Sequence, residues 1–201
     1  MEQDGEAYSV NITSQCRKRT NLTAMQIEHL KRIEISLPFV ADLAHAYLYL
    51  YVQTKEPGKM LVLKHYRPHT FFSEVELTGE GAFVSTLEEP LIAAAFAKGK
   101  FIQGQREWRF GINLEMYVQP IKCGNDVIGV VSLETGHSYA NSSNYHQLMD
   151  TALYLLDYAK KPLDKDEFHP MSPGTGIIIA DSNNRIVFAN LSANRIYRAL
   201  G

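Results

Sequence analysis

Glu115, Tyr117 and Gln119 alternate within an apolar run, so a period of two puts a carboxylate, a phenol and an amide on one face of a strand. Trp108, the single indole of the chain, stands just before them, and Arg67 and Thr70 follow an earlier apolar run. These six residues are the candidate ligand contacts, expected over one sheet face beneath the segment from Phe71 to Arg109. An aromatic wall with one carboxylate suits a small cationic amine, which the ring faces attract and the carboxylate binds through a charge-assisted hydrogen bond. Trp108 and the tyrosines serve equally well as core filling, and the residues alone leave both readings open.

Other chemistry is thinner. His65 and His69 could present imidazoles to a metal or haem, but they lie four apart across Arg67-Pro68 with no helical face to align them and no further ligand cluster. No metal ligands are therefore expected. Cys16 and Cys123, the only two cysteines, lack Cys-x-x-Cys spacing, and an inert, buried Cys123 is expected. Gly79-Glu80-Gly81 reads as a turn and His29 as a surface histidine on a helix. No catalytic residue is assigned.

The composition sets outer bounds. The 201 residues carry a formal charge of −2, with no basic surplus to hold a polyanion by counterion release, so direct nucleic-acid binding is not expected. Hydrophobic and charged fractions of 45% and 21% are those of a globular chain. The longest apolar runs are interrupted by Pro38, Asp42 and His45, short of the ~20 residues that cross a bilayer. The opening Met-Glu-Gln-Asp-Gly-Glu is acidic where an export signal would be basic, which makes cytoplasmic placement the expectation.

The elements that must position these residues follow from pattern. Residues 1–21 read as a flexible arm. Thr23-Ala-Met-Gln26 has capping-box spacing, and the helix it starts should kink or restart at Pro38. Tyr47, Tyr49 and Tyr51 alternate with Leu48, Leu50 and Val52 in the clearest strand, paired through Glu56-Pro57-Gly58 with a strand over residues 60–66. Residues 88–98 predict a helix stopped by Gly99, and Phe101 to Gln105 a short strand. Residues 116–123 and 127–135 predict a second hairpin around Gly124-Asn125-Asp126. From Tyr145 to Ala159 an apolar stripe at helical spacing either packs on its own domain or forms a dimer seam, its later turns around Leu156 and Ala159 being the expected seam. Residues 22–160 thus form the main domain. Residues 161–175, with three of the eight prolines and no periodicity, predict a linker. Residues 176–201 predict strand, turn, strand and helix, too few for an independent core, so the chain is expected to be a piece of a longer protein.

Residues 176–201, with an apolar strand, Asp181, a polar turn, a second strand and Asn190-x-x-Ala193, resemble the opening of a PAS domain. Upstream, Arg67-Pro68-His69-Thr70, Glu89-Pro90-Leu91 with Ala95-Phe96 and Gly99, and Pro120-Ile121 with Ile128-Gly129-Val130 resemble the GAF-like N-terminal domain of one class of sensor histidine kinases. That class includes ethanolamine-sensing kinases of Gram-positive bacteria and a mycobacterial kinase. The resemblance spans residues 22–201 and implies an α+β fold, a GAF-like antiparallel sheet flanked by helices, followed by the linker and a truncated PAS start. It implies a signal-sensing region that binds a small molecule and relays occupancy through its C-terminal helix to a kinase core. It also implies a homodimer and a response regulator with RNA-binding antitermination output. ATP and Mg²⁺ belong to the missing kinase core, whose nucleotide-lid motif the chain lacks, so no cofactor is expected. A ligand-free dimerisation scaffold, or a metal, haem or redox sensor, are the alternatives.

Overall fold

The computed structural model describes residues 11–69, 78–109, 111–136, 145–158 and 174–200. Six antiparallel strands form one sheet in the order β3-β2-β1-β6-β5-β4. They are β1 (Tyr47–Gln53), β2 (Lys59–Tyr66), β3 (Phe83–Ser85), β4 (Ile102–Arg109), β5 (Ile112–Cys123) and β6 (Asp126–Gly136). Each long hairpin closes locally, and the non-local pairing of β1 with β6 joins the two halves, placing Tyr47 opposite Glu134 and Tyr49 opposite Ser132.

One face is covered by helices α1 (Ile12–Arg19), α2 (Ala24–Glu34), α3 (Leu37–Ala44) and α5 (Tyr145–Tyr158). Leu48, Leu50 and Val52 meet Leu30, Ile33, Val40, Met149 and Ala152 in this larger core. Gly129 lets α2 come close: a Cβ there would stand 3.1 Å from Leu30 Cδ2. The other face carries Tyr47, Tyr49, Tyr51, Met60 and Val62 under α4 (Pro90–Lys98), which contributes Ile92, Ala95 and Phe96. The alternation of apolar residues along β1 is therefore the division between two cores.

Local signals act where their chemistry is self-contained. Thr23 Oγ1 accepts from the Gln26 N–H at 3.2 Å while Gln26 Oε1 accepts from the Thr23 N–H at 2.9 Å, completing the capping box. The chain restarts at Pro38, which sits in the first turn of α3, where its missing N–H costs nothing. Gly99 ends α4 at φ 58°, a left-handed conformation that glycine adopts without strain.

Two expectations need correction. The arm of residues 1–21 is, over residues 12–19, a packed helix: Asn11 Oδ1 caps it by accepting from the Ser14 N–H, and Ile12 and Cys16 are buried in the helix-side core. Two apolar residues four apart suffice because the neighbouring domain supplies the surface, and Lys55 Nζ donates to the carbonyls of Arg17 and Lys18 at the helix end. The short strand of residues 101–105 is eight residues long, held by β5 as far as the pair Arg109–Ile112.

The strand-turn-strand-helix at the C-terminus forms as β7 (Ile178–Ala180), β8 (Ile186–Ala189) and α6 (Leu191–Leu200). Asn190 ties it together, its Oδ1 accepting from the N–H groups of Ala193 and Ile177 and its Nδ2 donating to the Thr175 carbonyl. Phe188 joins the helix-side core, with Ile177 and Ile179 packed against it. Ala159 and nearly all of the expected linker lie outside the described residues. Leu156, expected at a dimer seam, is 5% exposed and packs within its own chain, whereas Tyr154 on the same helix is 66% exposed. No helix among the described residues is long and apolar enough to cross a membrane.

Candidate functional site

The tyrosine face holds a charged cluster. Arg106, on β4, donates through Nη1 to Glu89 Oε1 and through Nη2 to Glu134 Oε2. Glu89 is the residue at the start of α4; it makes no capping bond and turns to the guanidinium instead. Glu134, 1% exposed on β6, also accepts from Ser132 Oγ at 3.0 Å. The cluster thus ties an outer strand, the covering helix and the middle of the sheet. Gly104, two residues before Arg106, lets α4 settle onto β4, since a Cβ there would lie 2.8 Å from Leu91 Cδ1.

Aromatic rings form the wall beside it. Tyr49 stands between His65 on β2 and Ser132 on β6, with ring centroids 6.0 Å from Tyr51 and 6.3 Å from His65. The backbone of Thr78 hydrogen-bonds with Tyr49 and with His65 at this end of the face.

The electrostatics follow from burial. Loss of water, opposed by Arg106 and reinforced by Glu89, pushes the Glu134 carboxyl up to about 7. Glu89 is also raised, first by burial. Burial opposes the charge on Arg106, but Glu134 and Glu89 more than offset it and the guanidinium stays protonated. Burial, then the charge of Glu134, raises Tyr49 to about 12, and Tyr51 moves the same way for the same reasons. Two carboxylates facing one guanidinium leave the cluster at −1 when both are ionised, or neutral with a proton on Glu134.

Three of the six expected contacts lie elsewhere. Glu115, Tyr117 and Gln119 occupy alternate positions of β5, on the face turned toward the helical layer. Tyr117 is buried against Tyr145, with centroids 6.2 Å apart, and Glu115 accepts from Gln105 Nε2 at 2.6 Å. Gln119 is half-buried, Arg67 is exposed just past β2, Trp108 contributes backbone to β4, and its side chain, like all of Thr70, lies outside the described residues. His65 and His69 diverge: the His69 ring lies 3.2 Å from the fully buried Asp42 on α3, whereas His65 faces Tyr49. Among the described residues no group of three or more His, Cys, Asp or Glu is arranged to hold a metal. Cys16 is fully buried, its thiol raised to about 11 by burial, while Cys123, expected to be the buried one, is half-buried at the end of β5.

Sequence reasoning missed Glu89, Arg106, Ser132 and Glu134 as a group. A signal existed for two of them: Ser132 and Glu134 sit two apart in an otherwise apolar strand, a pattern that marks polar groups turned into one face. Arg106 carried none, standing among Gln105 and Glu107 in a polar stretch.

Residues 12–152 match the family described as histidine kinase PdtaS, GAF domain. The fold is similar to that of a solved sensor region of a sensor histidine kinase, at 20% identity and a TM-score of 0.68, covering 94% of this chain and 68% of that one. Weaker likenesses extend to the C-terminal domain of a putative transcriptional regulator from Vibrio cholerae (12% identity, TM-score 0.48, covering 65% of this chain and 94% of that one). Another is the GAF domain of a phosphoenolpyruvate-protein phosphotransferase from Acinetobacter (14% identity, TM-score 0.41, covering 69% of this chain and 94% of that one). No curated protein matches the chain.

Proposed function

The chain belongs to the GAF domain family of the histidine kinase PdtaS, and on that premise we propose that it is the sensing region of a two-component sensor histidine kinase that binds a small molecule over its tyrosine face. The observation that carries the reading is the Glu89–Arg106–Glu134 cluster, which places two carboxylates and one cation beside Tyr49 and Tyr51 on a face lined mainly with apolar side chains. Its excess of negative charge favours a small amine, which would compete with Arg106 for the carboxylates. Loss of the Arg106 bridges would free β4 and α4 to shift, and α5 is the exit toward the rest of the protein. A ligand biases such an equilibrium by its difference in affinity between the two arrangements. Arg67, Thr70 and Trp108 remain proposed contacts.

The reading extends to the parent protein: residues 176–201 open a PAS domain, and a cytoplasmic, ATP-dependent kinase core follows. That kinase passes phosphate to a response regulator with RNA-binding antitermination output. It acts as a homodimer, with the outward side of α5 around Tyr154 as the contact in place of buried Leu156.

A thermal-shift and calorimetric screen of short aliphatic amines, nucleotides and metabolites tests the ligand, because binding to the native state raises stability. The expected result is saturable stabilisation by an amine that is lost in Glu134→Gln. The internal pairing of Arg106 favours a second reading, a ligand-free dimerisation scaffold; a screen in which nothing binds while sedimentation shows a dimer would establish it instead.

A further inference from the structure

At the other end of β5, some eight residues and roughly 27 Å from the Arg106 cluster, two cavities meet. β4 begins at Ile102, opposite Val118, so residues 119–123 of β5 run on without a neighbour on that side. Pro120 stands in this open edge and has no N–H to leave unpaired. The gap is a cleft of about 240 Å³ walled by Ile33, Phe101, Gln119, Pro120, Ile121 and Leu156. Next to it lies a polar groove of about 560 Å³ bordered by Asn21, Gln53, Lys98 and Asn125. Gly99 and Lys122 belong to both.

Lys122 stands between the cleft, walled largely by apolar residues, and the polar groove. The pairing of β5 with β6 slips between Ile121 and Lys122, a bulge of the kind that re-aims a side chain. At Gly99 an added Cβ would stand 3.4 Å from Lys122 Cε, so glycine leaves room for the lysine stem beside the end of α4. No hydrogen bond or ion pair joins the side chain of Lys98 or Lys122 to another of the described residues, and the acid on the groove, Asp126, accepts from Gln26 Nε2 at 3.2 Å. The N-terminal end of α2, with its partial positive charge, lies at the same rim.

From this juxtaposition we propose that the two cavities form one binding site for a small amphiphilic anion, a carboxylate on a short alkyl chain. The chain lies in the cleft against Phe101, Pro120 and Leu156, and the head meets Lys122 Nζ, with Lys98 and the amides of the groove around it. The site lies apart from the Arg106 cluster, though Phe96 of α4 borders the groove. Leu156 of α5 and Ile33 of α2 line it, so its occupancy bears on the helical layer.

The test is calorimetry on the whole chain with acetate, butyrate, hexanoate, octanoate and octylamine as probes. Octanoate is expected to bind, with affinity rising about fourfold per added methylene from butyrate onward, while acetate and octylamine do not bind. Lys122→Gln, at an exposed position, should leave the unliganded melting temperature unchanged and weaken octanoate about tenfold. Phe101→Ala should flatten the dependence on chain length. The proposal is overturned by absent octanoate binding at millimolar concentration, by equal binding of octylamine, or by a Lys122→Gln variant that binds octanoate as well as the parent. Because none of the four tyrosine-face groups is altered, loss of amine binding elsewhere leaves this outcome unaffected.

Discussion

Replacing Glu134 by glutamine should change how stability depends on pH. In the folded chain the carboxyl is raised from 4.5 to about 7, first by burial, so the native state holds its proton where the unfolded state has released it. Stability from this group is fully present below the unfolded value and is lost as pH rises toward 7. A shift of this size, at 1.36 kcal/mol per pH unit, corresponds to about 2–3 kcal/mol lost between pH 5 and pH 8. For a domain of this length that is roughly 5–10 °C in melting temperature. Glu89, also raised, works in the same sense, while His45 and His65, lowered by burial, gain stability as pH rises through 6.5. All three remain in Glu134→Gln, so the difference between the two proteins isolates Glu134. Urea denaturation at half-unit steps from pH 5 to pH 8 should show the parent falling more steeply, the curves separating by about 2–3 kcal/mol. Parallel curves would refute the burial of an ionisable carboxyl as the cause.

Three further outcomes test the architecture. Gly104→Ala should cost about 1–2 kcal/mol in chemical denaturation, because the new methyl meets Leu91 Cδ1 at 2.8 Å, whereas Gly79→Ala, with nothing within 4 Å, should change stability by less than about 1 kcal/mol. Thr23→Ala should destabilise by about 1 kcal/mol through loss of the capping box at α2, read by the same assay. A thiol reagent at pH 8 should label half-buried Cys123 in the native protein and reach Cys16 only on unfolding, since burial holds that thiol protonated; equal labelling rates would place α1 off the domain.

Much of this molecule was legible along the chain because the deciding interactions span only a few residues. The capping box at Thr23, the stop at Gly99, the turn at Gly124 and the alternation from Tyr47 to Val52 are each settled by contacts between near neighbours. The resemblance carried by short motifs around Arg67, Glu89 and Pro120 led to the same family that residues 12–152 match. Alternation states that β5 has two faces but not which of them the helices cover, and Glu115, Tyr117 and Gln119 fell on the helical side because the whole layer of α2, α3 and α5 buries most apolar area there. The arm became α1 because a surface built from distant residues was waiting for Ile12 and Cys16. The charged cluster depended most on tertiary structure: Arg106 stands 17 residues from Glu89 and 28 from Glu134. Its ion pairs exist only once strand order and register are set, and then the loss of water around Glu134, which no local pattern encodes, gives the site its chemistry.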